Sequence, residues 1–401
     1  MDSLSQQLVF TPPLSLDPKP ANDSEKQKNP LMRVLEVLKS MRPGSDLTRF
    51  QVPVQLNLPK SQLQSYGETM YCCGQDLLGA CALGSSPMDR FLRVVAWHIS
   101  TCRLVPFGQV PFNPILGETH HVSAGHLNVL LEQVSHHPPI TALYATDDVN
   151  KIRMQWWHST CPRFYGNKVE GTIYGNRTLW LDSHQEVYEA TSPKLLIRLF
   201  PAPGTEWVGS STIKCSSSRL EATLSFKGKH LFGLRGTIGQ VSGKVLDTSN
   251  GATLYEINGA WNKVVLAKNM KTEESSVLLD AQAALTNLKA LTLRSNKEEV
   301  EATESLLVWR LVMGSIVRKD WELARQAKIE IEERQRDLAK IRKVEGKVWL
   351  PRHFVEVEVE GNDRWHWRHI GESVPRAPLV VPCNHTFSVE SCQQVFSLSR
   401  S

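Results

Sequence analysis

Apolar positions change period several times along this chain, and the changes divide it. Leu31, Val34, Leu35, Leu38 and Met41 recur at helical spacing, with Arg33, Glu36, Lys39 and Arg42 between them. This predicts a short amphipathic helix, stopped by Pro43-Gly44. A second helical stripe, Phe91, Val94, Val95 and His98, falls near residues 88–100. From about His120 to Val265 strands dominate: residues 169–174, 178–181, 194–200, 220–226, 244–246 and 254–257 are aliphatic or aromatic. Gly175-Asn176, Pro203-Gly204, Asn250-Gly251 and Asn258-Gly259 separate them, and Asn250-Gly251 predicts a hairpin. Many short antiparallel strands at this spacing predict a barrel or sandwich, and a large barrel has room for a small apolar ligand. Residues 321–344 return to helical period and stop at Gly346, before a Trp-rich segment from Trp349 to Trp367. No repeat of roughly 20–50 residues is present, which argues against a propeller.

Composition narrows the picture. The chain has 401 residues, 41% hydrophobic and 22% charged, enough for a substantial core. A net charge of +5 suits transient contact with anionic lipid surfaces and falls short of a nucleic-acid footprint. No apolar run approaches the roughly 18–20 residues of a membrane span, and no secretory signal opens the chain. Residues 1–29, rich in Ser, Pro, Gln, Asp and Lys, are expected to be disordered, and residues 383–401, with Cys383 and Cys392, form a patternless tail. Eight scattered cysteines, including adjacent Cys72-Cys73, show no disulfide framework and no CxxC pair, as expected of a reduced cytosolic protein without structural zinc.

Candidate chemistry centres on Glu132-Gln133-Val134-Ser135-His136-His137-Pro138-Pro139. The prolines fix φ, remove two donors and hold the imidazoles at the rigid end of a strand. An adjacent histidine pair admits three readings: hydrogen-bonded surface groups, metal ligands together with His120-His121, or donors to an anionic oxygen. No HExxH spacing supports the metal. Lys328, Glu332 and Arg336 fall on one stripe about 12 Å long, with Glu332 placed to hold both bases. This is either a solvated ion-pair stripe or a surface for a polyanionic headgroup. Trp156-Trp157, Trp261, Trp349, Trp365 and Trp367 suit either core or tunnel lining. Gly233, Gly236 and Gly239 do not make a GxGxxG loop, and neither a GxSxG elbow nor a Cys/His nucleophile pair occurs. No catalytic residue, metal or cofactor is expected.

The octapeptide matches the signature of the oxysterol-binding-protein-related lipid-transfer family. Pro111-Phe112-Asn113-Pro114-Ile115-Leu116-Gly117-Glu118-Thr119 resembles that family's second motif, and residues 328–336 resemble its charged C-terminal helix. The match runs from about Leu31 to Pro382, and Gly44-Ser45-Asp46-Leu47 and residues 375–379 look most like the short plant-type members. The resemblance implies a mainly β fold with helices (α+β) over residues 30–382. It comprises a large antiparallel β-barrel at about 110–266 enclosing a lipid tunnel, a helical lid at 31–42, and a C-terminal helix at about 320–345. It further implies non-enzymatic binding and transfer of a sterol or phosphatidylinositol 4-phosphate between membranes, by a cytosolic protein in peripheral membrane contact. A lipid sensor acting on a protein partner is the alternative. His136, His137, Asn113, Lys328, Glu332 and Arg336 fall on headgroup-binding positions, and Leu31, Val34, Leu35, Leu38 and Met41 on the lid. One departure is Val110, where the family often has a phosphate-binding lysine; Arg103 and Lys151 are candidate substitutes. The chain leaves no room for a pleckstrin-homology domain before residue 30, and no two-phenylalanine acidic-tract motif is found.

Overall fold

The computed structural model describes residues 8–16, 30–71, 74–229, 238–294, 299–359 and 362–382, the side chains of residues 359 and 362–365 excepted. Cys72-Cys73, Gly233, Gly236, the Trp365 side chain and the tail 383–401 therefore lie outside the described residues. The first helix is α1 (Pro30–Leu38). Strand β1 (Asn57–Ser61) and helices α2 (Gln62–Tyr71), α3 (Leu77–Ala82) and α4 (Pro87–Ser100) come next. Strand β2 (Val110–Phe112) lies outside the main sheet and pairs in parallel with β1, placing Val110 opposite Asn57.

The main sheet has 16 strands. A meander of β3 (Thr119–Ala124), β4 (Leu127–His136), β5 (Pro139–Asp147) and β6 (Ile152–Phe164) opens it. Then come β7 (Lys168–Tyr174), β8 (Arg177–Leu181), β9 (Glu186–Ala190), β10 (Lys194–Arg198) and β11 (Gly204–Cys215). A second meander follows: β12 (Leu220–Lys227), β13 (Gln240–Asp247), β14 (Thr253–Ala260), β15 (Val264–Asn269) and β16 (Ser275–Asp280). The remainder is α5 (Ala281–Ala284), β17 (Thr292–Leu293), α6 (Ser305–Val308), α7 (Arg310–Val317), α8 (Trp321–Val344), β18 (Phe354–Val359), β19 (Asn362–His369) and β20 (Leu379–Val381). The Asn250-Gly251 hairpin joins β13 to β14, with Gly251 at a φ of 74° that favours glycine.

Two long strands let the sheet branch. The first half of β6 pairs with β8 and its second half with β7, while β11 pairs with β9 at one end and β10 at the other. The pairs are antiparallel except β3–β20, and the sheet reaches Asp280, beyond the 266 expected. Burial alternates along β6, β8 and β9, the period-two pattern of a wall with one dry face. That face includes Leu131, Leu143, Met154, Leu179, Ala222, Val245 and Val265, which share one core with Leu63 of α2 and Phe91, Val95 and Ile99 of α4. The wall thus curls around helices. Its end strands β16 and β17 are not paired with each other among the described residues, and α2 and α4 pack against its apolar face.

Helix α4 starts where Ser86 accepts from Asp89 N at 3.1 Å with Pro87 in the first turn, and its whole expected stripe, His98 included, is buried. Residues 8–16 depart from the expected disorder. Leu14 is buried, its N–H donates to Glu68 Oε2 at 2.8 Å, and Lys60 Nζ donates to the Pro12 carbonyl at 2.8 Å. A buried Lys60–Glu68 ion pair has spare donors and acceptors that must be satisfied, and the strap supplies them. The Trp-rich segment forms the hairpin β18–β19, whose Phe354 and Trp367 cover Leu130, Ala142 and Tyr144 on the outer face of β4–β5. Trp156 and Trp261 are core residues, whereas Trp157 belongs to that outer cluster.

Candidate functional site

His136 ends β4 and pairs with Pro139 at the start of β5, so His137 and Pro138 form the turn itself. His136 is half-buried and its Nδ1–H donates to the Pro114 carbonyl at 3.0 Å; His137 is exposed, and the two rings lie 4.6 Å apart at 56°. Burial first, then the neighbouring His137, lower the pKa of His136; burial and Arg49 lower that of His137. Both are therefore mainly neutral at pH 7. The other signature residues hold the hairpin. The Glu132 carboxylate accepts from Arg352 N at 2.8 Å and His353 N at 2.9 Å, and the Gln133 amide oxygen accepts from Thr141 Oγ1 at 2.6 Å.

The second motif is anchored from beneath. Glu118 is fully buried, and its carboxylate accepts from Ser61 Oγ, Ser305 Oγ at 2.7 Å, Trp309 Nε1 at 2.9 Å and Ile115 N at 3.0 Å. Burial raises its pKa and these four donors oppose the rise. Asn113 is left exposed beside Pro114, the partner of His136. Glu118→Ala is expected to cost about 3–5 kcal/mol, because four buried donors lose their acceptor. Urea unfolding checks this; a loss below about 1 kcal/mol would show that the network is dispensable.

The α8 stripe joins the same edge, with one correction. Glu332 sits between its neighbours, 3.7 Å from Lys328 Nζ and 3.6 Å from Arg336. Arg336 reaches solvent, but Lys328 does not face outward: it is buried and donates to the Val52 carbonyl and, at 2.9 Å, to Asn57 Oδ1. Burial lowers its pKa, opposed by Glu332. Asn57 Nδ2 in turn donates to the Val110 and Pro111 carbonyls at 3.2 and 3.4 Å. Lys328, Asn57, the second motif and the histidine turn are thus linked by hydrogen bonds.

Helix α1 ends at Leu38, earlier than the expected 42, and one further turn brings Met41 N to the Leu38 carbonyl. Leu31, Val34, Leu35, Leu38 and Met41 all pack with Phe164, Val169 and Leu199 from the β6–β7 and β10 ends. Pro30 and Val34 also lie against Gly108, just before β2. Neither suggested replacement for the lysine is at this edge. Arg103 is buried behind α4 and Lys151 sits at the opposite end of β5. Arg49, exposed and close enough to perturb His137, is the cation that sequence reading missed; nothing in the local pattern marks it. Asn57 was missed for the same reason.

The two histidine pairs do not meet. Buried His120 has Nδ1 2.6 Å from a Glu304 carboxylate oxygen and Nε2 2.8 Å from the Tyr71 hydroxyl oxygen, while His121 Nε2–H donates to the Pro375 carbonyl at 2.8 Å. Among the described residues no group of three His, Cys, Asp or Glu is placed to hold a metal, and Cys81, Cys102, Cys161 and Cys215 are free thiols. No helix among the described residues is long and apolar enough to cross a membrane.

A strand wall curled around helices, with an apolar inner face and a polar edge beside a packed N-terminal helix, defines an α+β protein built on one large, mostly antiparallel sheet. The chain belongs to the oxysterol-binding protein family, whose family model matches residues 33–376. It is 44% identical over 384 residues to oxysterol-binding protein-related protein 4B of Arabidopsis thaliana, covering 95% of this chain and 99% of that one. Related protein 4A of the same plant is also 44% identical, with 95% and 98% covered. Human oxysterol-binding protein-related protein 5 is 31% identical, covering 86% of this chain and 39% of its own. Among solved structures, the Osh1 ORD domain in complex with cholesterol aligns with a TM-score of 0.72 at 23% identity, covering 92% of this chain and 91% of that one. The Osh3 ORD of Saccharomyces cerevisiae in complex with PI(4)P aligns at 0.64 and 21%, covering 90% and 94%.

Proposed function

We propose that this protein encloses one lipid within the barrel, under α1, and carries it between membranes without covalent chemistry. The cargo is a sterol in the apolar interior, or phosphatidylinositol 4-phosphate held by its headgroup at the polar edge. The observation that carries this reading is the hydrogen-bonded edge itself. It runs from the His136–His137 turn through Pro114 and Asn113 to Asn57, Lys328 and the Glu332–Arg336 pair. Segments up to 276 positions apart converge there. Similar structures hold cholesterol in one case and PI(4)P in the other, which supports the same two ligand classes here. The headgroup contacts fall to His136, His137, Asn113 and Arg336, with Arg49 added; Lys328 positions Asn57 and the second motif. The test is transfer of a fluorescent sterol between donor and acceptor liposomes: no transfer above the spontaneous rate would defeat the carrier reading.

Val110→Lys is expected to tighten phosphoinositide binding about fivefold, the effect of one added charged contact of about 1 kcal/mol. Affinity for liposomes containing the phosphoinositide checks it, and an unchanged value would mean that Arg49 already fills the role. Binding should also take up protons at pH 7. His136 and His137 start with lowered pKa values, and a phosphate beside them raises those values, so affinity increases as pH falls from about 7.5 toward 6. The ligand's own phosphate monoester loses protons as it meets cations, so net uptake in calorimetry across buffers of different ionisation enthalpy shows that the histidines outweigh it, and net release overturns the expectation.

A further inference from the structure

Arg177 occupies an unusual place. It faces inward from β8, opposite Trp156 of β6, and is 7% exposed. Its NH1 donates to Thr101 Oγ1 at 3.1 Å and, at 3.5 Å, to His98 Nδ1; its guanidinium carbon is 5.4 Å from the Trp97 ring centroid; its Nε–H has no partner among the described residues. Among the described residues no carboxylate pairs with it.

The surrounding titratable groups do not supply the missing charge. Ser211 donates its hydroxyl to the Thr191 carbonyl at 2.7 Å, so His98 Nε2–H must donate to Ser211 Oγ at 2.8 Å, leaving Nδ1 a lone pair toward the guanidinium. His98 is therefore neutral, and burial beside Arg177 holds its pKa down at about 3. The Cys102 thiol is pushed up to about 12 by burial and stays protonated. His158 is neutral too, pushed well below its ordinary range by burial and by Arg177. Its ring stacks on Trp156 at 4.1 Å, and among the described residues neither its Nδ1 nor Trp156 Nε1 has a partner.

A guanidinium does not shed its proton in a protein, and an unpaired buried charge costs several kcal/mol. Arg Nε–H and Trp Nε1–H are donors only. The cluster thus combines one uncompensated positive charge with orphan donors, inside a core otherwise lined by apolar groups such as Leu179 and Met154. What completes it must accept hydrogen bonds and carry about one negative charge. We infer that the barrel interior contains an anion-receiving site at Arg177 that takes the carboxylate of an amphiphile inserted head-first. A phosphate monoester brings nearly two charges to one cation, whereas a carboxylate balances it. This inference rests on the reading that the interior encloses a lipid, and it adds a ligand class beyond neutral sterols.

The experiment titrates the protein with the fluorescent fatty acid cis-parinaric acid and with its methyl ester, which has the same chain without the charge. The wild-type protein is expected to bind the acid about tenfold more tightly than the ester, and Arg177→Met to bring the two within about twofold. A wild-type ratio near one overturns the inference and requires no variant. A ratio kept in folded Arg177→Met also overturns it. Should Arg177→Met fail to fold, the His136→Ala, His137→Ala protein decides: a ratio kept there supports the interior site, and a ratio lost there places the acid at the polar edge and overturns it. Transfer of dehydroergosterol, measured on the same wild-type samples, tests the carrier reading separately. Sterol transfer without acid preference defeats this inference alone.

Discussion

Replacing His136 and His137 together with alanine is expected to abolish extraction of phosphatidylinositol 4-phosphate from liposomes while sterol binding stays within a few-fold. Each charge-assisted hydrogen bond to phosphate is worth about 1.5–3 kcal/mol, so losing two lowers affinity by more than about a hundredfold. The substitution sits in an exposed turn whose fold depends on Glu132, Gln133 and the two prolines, so the barrel should survive it. The Pro114 carbonyl loses its partner but lies at a part-buried, solvent-reached edge, so the structural cost is small. Circular dichroism confirms folding, and extraction of the two lipids is then measured side by side. Equal loss of both ligands in a folded double variant would mean that there is no separate headgroup site.

Leu35→Asp with Leu38→Asp is expected to speed sterol release by about tenfold or more and to impair transfer. Leu38 is buried among Phe164, Val169 and Leu199, with Leu35 packed on the same cluster. Burial of Leu38 contributes roughly 1.5–3 kcal/mol to holding α1 down, the partly buried Leu35 adds less, and a carboxylate in either place adds a desolvation cost. With α1 displaced, the apolar surface of a bound lipid is partly wetted. Point substitution is a cleaner test than deleting residues 1–42, because deletion would also remove Pro12 and Leu14 from the buried Lys60–Glu68 pair. Stopped-flow release of a fluorescent sterol decides the matter; an unchanged off-rate in the folded variant would make α1 an ordinary packed helix.

Periodicity located α4, strands β7, β8, β10, β12, β13 and β14 and the extent of α8, because the period of apolar positions there marks a face for the core; β9 and β11 went unread. Such a period is a local property of the chain. The His-His-Pro-Pro turn was legible for a related reason: proline restricts its own φ and its neighbour's conformation, whatever the remainder of the fold does. Helices α2, α3 and α7 went unread. In α2 the apolar stripe is diluted by polar residues such as Ser65 and Glu68, which are buried because tertiary partners satisfy them. Residues 8–16 fall within a polar N-terminal stretch although Leu8, Val9, Phe10, Leu14 and Leu16 are apolar, and they are held by Lys60 and Glu68, some fifty positions away.

The candidate site divides along the same line. Which residue types are available was set by the sequence: a rigid imidazole pair, an exposed asparagine and a base–acid–base stripe on one helix face. Only the tertiary structure decided that Lys328 turns inward to Asn57, that Arg49 is close enough to perturb His137, and that Arg177 lies in the core with no counter-ion among the described residues. The physical reason is range. Dihedral preference and amphipathic period act over a few residues, whereas the partner of a charge is fixed by packing that brings residues hundreds of positions apart to within 3 Å, and no local pattern encodes that partner.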